Sequence, residues 1–235
     1  MPGADRQQLA VQELERGNVP GFLRTFKPVR LTHVRTEGDT LEAVIWVTPD
    51  YLAIGTDQDF LRIPLTYSSA TEIANRFGCS LPTRKMVDAI HEQAEVKLRP
   101  QPMAPGPRMR SSAYYLEHQR RIEQQRAGSV LGKLVSGHKK DIVLTNRLRR
   151  KPGRIAIYGW IRRSGEPIQP LSTVHGAEYA DYSHGLRLVR AEVWIGGRMR
   201  SLYEVLQDPE LAPVLTYEGV IDGPRRLMRQ PARRP

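Results

Sequence analysis

The chain carries one cysteine, Cys79, among 235 residues. A lone thiol excludes an internal disulfide and any metal site built on paired cysteines, while leaving the compartment open, since exported proteins also do without disulfides. Long apolar runs are missing as well: no stretch approaches the roughly 18 to 20 residues of a membrane-spanning helix. The opening MPGADRQQLAVQELERG lacks the apolar core of a secretory leader. There is no phosphate-binding GxxxxGK[ST] loop, no GxGxxG, no GxSxG elbow and no HExxH. Nucleotide-dependent chemistry and standard serine hydrolysis are therefore not expected. Neither an internal repeat nor a low-complexity domain is present.

Acidic residues are the scarcer charge, 25 Asp and Glu against 36 Lys and Arg, for a formal net charge of +11. That excess suits a polyanion, a nucleic acid or an acidic substrate. The arginines gather at 147–154 (RLRRKPGR), at Arg162 and Arg163, and in the tail at 225–234. The first and last are Pro-containing boundary or terminal segments, where a solvated basic loop and a disordered tail are the plainer readings. A hydrophobic content of 40% and a charged content of 26% are ordinary for a globular chain of this length, one large domain or two small ones sharing a core.

Patterning predicts a short amphipathic helix over 7–16, ended by Gly17. Two β-rich runs at 29–34 and 41–47 read as a hairpin around Glu37-Gly38-Asp39, and 51–54 and 60–64 as shorter strands. A helix over about 68–76 stops at Gly78, and a second is expected from about Pro82 toward Leu98, which places Cys79 near its positive end. Four prolines in RPQPMAPGPR impose an extended connection before a polar helix at 111–126, which either packs or serves as a mobile arm. Beyond it β signals dominate, at 142–145, 154–161, 168–175, 186–189 and 193–200. Ser201 and Glu204 form a capping-box pattern for a last helix. The expected fold is α+β, a mainly antiparallel sheet with helices packed around it and a helix-rich middle. Its portions are 1–98 with Cys79, the 99–127 connection and helix, 128–222, and a basic tail at 223–235.

Chemistry concentrates in PIQPLSTVHGAEYADYSHGLRLV, where ten positions hold His175, Glu178, Tyr179, Asp181, Tyr182, Ser183 and His184. Histidine beside a carboxylate supplies proton transfer near neutral pH. Cys79 then gives a candidate nucleophile, His175 a general base and acid, and Asp181 the group that orients the imidazole. His184, Ser183, Lys140 and His138 are expected to line the pocket or support an oxyanion. The GHKKD segment at 137–141 has the donors to hold a carboxylate, a phosphate or an oxyanion. No cofactor is required by this reading. Its alternative is a zinc centre with His175, Asp181 and His184 as ligands and Glu178 or His138 assisting.

The order of Cys79, then His175, then Asp181 resembles that of papain-like and NlpC-type hydrolases, in which a helix-borne cysteine meets a strand-borne histidine. The His175 and Asp181 spacing resembles that of the LAS group of peptidoglycan metallopeptidases. The segments GCSLPTRKMVDAI, IYGW, PIQPLSTVH and YADYSHGLRLV resemble an uncharacterised, often exported group of bacterial proteins, which implies export from the cell and no established activity; otherwise the chain is expected in the cytoplasm. Together these readings point to a hydrolase of amide or peptide-like bonds, in a cell-wall or other extracellular polymer. The zinc-dependent hydrolase is one alternative. A non-enzymatic basic module for polyanions or nucleic acid is the other.

Overall fold

The computed structural model describes residues 3–229. In chain order the elements are α1 (Gly3–Glu15), β1 (Lys27–Val34), β2 (Thr40–Val47), β3 (Ala53–Gly55), β4 (Phe60–Arg62), α2 (Tyr67–Arg76), β5 (Cys79–Ser80), α3 (Arg84–Gln93), β6 (Val96–Lys97), α4 (Ser112–Arg126) and β7 (Val135–Ser136). They continue with β8 (Lys140–Ile142), α5 (Arg147–Arg150), β9 (Ile157–Ile161), β10 (Pro167–Ser172), β11 (His184–Gly185), β12 (Val189–Ile195), β13 (Arg198–Ser201), α6 (Leu202–Val205), α7 (Ala212–Leu215) and α8 (Pro224–Leu227).

The hairpin read from the sequence forms: β1 and β2 pair antiparallel from Lys27 with Val47 to Val34 with Thr40. Alternation drives it, since Val29 and Leu31 point inward while Arg30 and Thr32 point outward. Strand β12 then pairs with the other edge of β2, β13 follows it, and β5 pairs with β12. A second sheet has the order β10-β9-β8-β11, antiparallel except where β11 runs parallel to β8. The fold is α+β with largely antiparallel sheets. One apolar core extends from Ala10 and Leu14 through Ile45, Ile73 and Ile157 to Leu215 and Met228. The first and last portions of the chain thus contribute strands to one sheet and side chains to one interior. Among the described residues no helix is long and apolar enough to cross a membrane.

Several elements differ from the patterning. The helix expected over 82–98 starts later, because Thr83 takes the cap position and its hydroxyl accepts from Met86 N. It also ends earlier: Ala94 is extended, and Val96 and Lys97 pair in parallel with β7. Cys79 consequently lies on a strand rather than at a helix start. The capping box at Ser201 does not form, because Ser201 still belongs to β13 and its hydroxyl makes no bond. The polar helix α4 is packed, with Tyr115, His118 and Ile122 buried. The tail begins inside the fold: α8 docks on α2 through Tyr67 Oη donating to Leu227 O and Asn75 Nδ2 donating to Met228 O. Residues 230–235 of the expected basic tail lie outside the described residues.

Candidate active site

Strand β8 places its side chains on alternate faces, Lys140 to one side and Asp141 to the other. Its parallel neighbour β11 sets His184 beside Lys140 and Gly185 beside Asp141. Gly185 is required there because a β-carbon would run into the ring of Tyr51. That ring closes the Asp141 face. Tyr51 Oη donates to Asp141 Oδ2 at 2.7 Å, and the Arg187 guanidinium lies 4.5 Å from the Tyr51 ring centre. Arg187 itself donates to Thr48 O at 2.7 Å and Val135 O at 2.6 Å. Next to it, Arg62 grips Asp50 through Nη2 at 2.6 Å and Glu123 through Nη1 at 2.7 Å, while His138 Nε2 meets Asp50 Oδ1 at 3.1 Å. Burial raises Asp141 to about 6 against the pull of Arg187 and Tyr51. It lowers His138 to about 4 despite Asp50.

The opposite face gathers the loop. Asp181 Oδ1 accepts from Ser183 N at 2.8 Å and Ser183 Oγ at 2.6 Å, and Oδ2 accepts from Tyr179 Oη at 2.9 Å. His184 Nε2 stands 4.0 Å from Asp181 Oδ2, and neither ring nitrogen of this fully buried histidine has a hydrogen-bond partner among the described residues. The His175 and Tyr179 rings stack at 4.0 Å, and the His175 and His184 ring centres are 6.4 Å apart. His175 and Tyr179 are the partly exposed members through which the cluster opens. Burial lowers His184 to about 4, so it is neutral near pH 7. Burial also lowers His175, with Asp181 acting against the shift and Lys140 and Arg154 with it. For Asp181 burial works upward, yet His184, the Ser183 bonds and Lys140 outweigh it and hold the carboxyl below its usual range.

Lys140 completes this face. Its side chain is 8% exposed, with the ammonium 4.9 Å from the Trp160 ring centre. Burial lowers its pKa, and Asp181 opposes the shift. Trp160 holds an unusual backbone: φ is 54°, the only positive value outside glycine among the described residues, and it follows Gly159 at 108°. A bulky residue in this region stores about 1 to 3 kcal/mol of strain. The surroundings fix it, with Trp160 N donating to Lys139 O at 3.0 Å and the indole Nε1 to His138 O at 3.1 Å.

Of the residues expected at the site, His175, Asp181, His184, Ser183 and Lys140 come together. Ser183 spends its hydroxyl on Asp181 and supports that carboxylate rather than facing outward. His138 goes elsewhere: its Nε2 serves Asp50 in the buried network, and it precedes β8 directly after the positive-φ Gly137, so the alternation that would set 138 and 140 on one face does not hold there. Glu178 lies on the surface and accepts a short bond from Ser68 Oγ. Cys79 is 2% exposed, and its thiol donates to Phe77 O at 3.3 Å. Burial pushes that thiol up to about 12 although Arg190 is near. Its neighbours Phe77, Arg190 and Tyr203 all lie outside the His175 loop. Among the described residues no three His, Cys, Asp or Glu side chains are grouped to hold a metal ion.

Sequence reasoning counted Tyr179 in the loop without giving it a role, read Trp160 as an aromatic that either lines a groove or packs the sheet, and passed over the Asp50, Arg62 and Arg187 charges. Only the GW pair in IYGW signalled Trp160, a glycine beside a bulky aromatic where a strand bends. A cavity of about 1020 Å³ adjoins the loop and is lined on that side by Gly176, Ala177, Glu178 and Ala180. Arg6 of α1, Arg110 and the first turn of α2 at Ser68 and Ser69 line other sides. Comparison with protein-family models, with curated proteins and with solved structures found no match.

Proposed function

We propose that the chain is a hydrolase of amide or peptide-like bonds that works by general acid–base catalysis at His175, Asp181, His184 and Lys140. The observation that carries this reading is the partly exposed His175, whose lowered pKa leaves it neutral near pH 7, beside an ionised Asp181 and an ammonium without a hydrogen bond. A neutral imidazole takes the proton of a water molecule as its oxygen attacks a carbonyl carbon. The imidazolium then returns that proton to the leaving amine as the C–N bond breaks, and Asp181 stabilises the intermediate charge. Tyr179 fixes the His175 ring by stacking and anchors Asp181 by its hydroxyl. Water rather than Cys79 is the nucleophile in this scheme, since a thiol held near 12 supplies almost no thiolate at neutral pH.

The test is turnover of a panel of acyl-amino-acid and peptide p-nitroanilides. His175→Ala should lower the rate about 10²- to 10⁴-fold, while Cys79→Ala should retain it. No turnover by the native protein, or equal loss in both variants, sinks the reading. Stoichiometric zinc in protein purified without a His-tag would replace it with the metal alternative.

A specific observation also favours a polyanion partner: Arg147, Arg149, Arg150, Lys151 and Arg154 are all exposed around α5. Arg154 lies close enough to His175 to lower its pKa. Retention on heparin that falls steeply with salt, and that weakens in Arg150→Ala with Lys151→Ala, is the expected behaviour. Retention that is unaffected by these changes removes the patch from consideration.

A further inference from the structure

We infer that the cluster binds a carboxylate group of its substrate, with the Lys140 ammonium as anchor and the Trp160 ring as the platform that holds it in place. The inference rests on the same cluster as the proposed hydrolysis and names the class of molecule it takes. Lys140 is 8% exposed, yet its ammonium makes no hydrogen bond among the described residues and rests on the Trp160 ring. The nearest carboxylate does not serve it. Asp181 commits Oδ1 to Ser183 N and Oγ and Oδ2 to Tyr179 Oη, so three of its roughly four acceptor positions are occupied from within the loop and none is given to Lys140. The ammonium lies over the Trp160 ring and donates no hydrogen bond among the described residues, so its donors are available to an entering anion.

Three features show that the position is held rather than incidental. The Lys140 backbone N donates to Ser183 O at 2.7 Å, and the residue is in register with both His184 and Gly159. The Trp160 ring lies 4.9 Å beneath the ammonium, and its indole N–H is fastened to His138 O. The backbone of Trp160 accepts a positive φ to put it there. Charge then discriminates between ligands. The one ammonium attracts an anion, and the nearby Asp181 carboxylate repels a dianionic phosphate about twice as strongly as a monoanionic carboxylate. Arg154, near His175, adds long-range attraction toward the same opening.

The probes are N-acetylalanine, its uncharged methylamide and inorganic phosphate, titrated into the full chain while the NMR signals of the Trp160 indole N–H and the His175 ring are followed. N-acetylalanine should shift both signals saturably, the methylamide should not, and phosphate should bind more weakly. Lys140→Met, which keeps the stem over Trp160 and removes the charge, should weaken N-acetylalanine at least tenfold. Lys140→Arg should retain most of the affinity, and so should His175→Ala, because the base is not the anchor. Equal binding of acid and methylamide, tighter binding of phosphate, unchanged affinity in Lys140→Met, or no shift with any probe overturns the inference. The acid and methylamide comparison uses native protein and stands even if a variant fails to fold. Carboxylate binding in a protein with no amide turnover would uphold the anchor and remove the hydrolase.

Discussion

Strand β8 divides two buried polar regions that differ in how their charges are satisfied. On the Asp141 side every charge faces an opposite one: Arg62 is shared between Asp50 and Glu123, His138 bonds Asp50, Tyr51 bonds Asp141, and Arg187 Nε stands 3.9 Å from Asp141 Oδ1. These last two atoms and His138 Nδ1 make no hydrogen bond among the described residues. On the Lys140 side the Asp181 carboxylate takes its three hydrogen bonds from its own loop, while the Lys140 ammonium and the His184 ring lack hydrogen bonds among the described residues. Burial is similar on both sides, so burial by itself does not mark a site. Matched charge holds a fold together, and an unmatched donor beside an opening is available for a ligand.

The largest effect should come from breaking the matched side. Arg62→Met leaves Asp50 in the interior without its cation, held only by His138 and the Tyr51 backbone N–H, at a cost of about 3 to 5 kcal/mol, read as the urea midpoint. Lys140→Met removes a charge that makes no hydrogen bond and should change stability by less than about 1 kcal/mol, in either direction. If the two variants cost the same, the distinction between the faces collapses. Tyr51→Phe comes next: it leaves Asp141 Oδ2 without its donor and should cost about 1 to 3 kcal/mol. A neutral result there would mean that water replaces the hydroxyl and that this face is not closed.

Lys139 sharpens the comparison through pH. It is wholly buried, its ammonium donates to Tyr182 O at 2.7 Å, and burial, aided by Arg62, lowers its pKa to about 7. In the unfolded chain the value is about 10.4. Between the two the unfolded state holds the extra proton, so the native state gains stability as pH rises from 7, by up to about 1.4 kcal/mol per unit. Cys79 acts in the opposite sense once its unfolded thiol ionises, which confines the clean window to about pH 7 to 8.5. Urea midpoints at those two limits should rise in the native protein and much less in Lys139→Met. Parallel behaviour of the two proteins would show that Lys139 keeps its proton when folded.

Much of the fold was legible because period-two patterning and turn residues are local signals. The β1–β2 hairpin, α2 and α4 follow from them directly. What escaped was set by distant partners: the residues after Gln93 leave the helix because β7 offers Val96 and Lys97 a strand to pair with. The site was legible as a density of His, Asp and Ser in one loop, and Lys140 entered through GHKKD. The division between Lys140 and His138 was hidden, since the two are two positions apart and a regular strand would set them on one face, whereas β8 begins only at Lys140 and the positive φ of Gly137 breaks the pattern before it. Trp160 was hidden for a related reason, its role depending on a backbone dihedral that composition does not reveal.

The smallest expected effect concerns Cys79, and it bears on whether the Lys140 face acts alone. A solvent-accessible thiol of ordinary pKa alkylates readily as pH approaches 8, whereas Cys79 is enclosed beside Arg190 and Tyr203 and its pKa stands near 12. Iodoacetamide at pH 5 to 9 should therefore leave the native protein unlabelled, with modification appearing only in denaturant, and His175→Ala should behave identically. The opposite outcome is specific: labelling already fast near pH 6 that disappears in His175→Ala can arise only if the imidazole and the thiol share a proton. Cys79 would then be the nucleophile, and the strand-borne thiol and the loop histidine would belong to one centre. Silence in both proteins confines the chemistry to the loop, where the base is His175 and the charge that receives the substrate is Lys140.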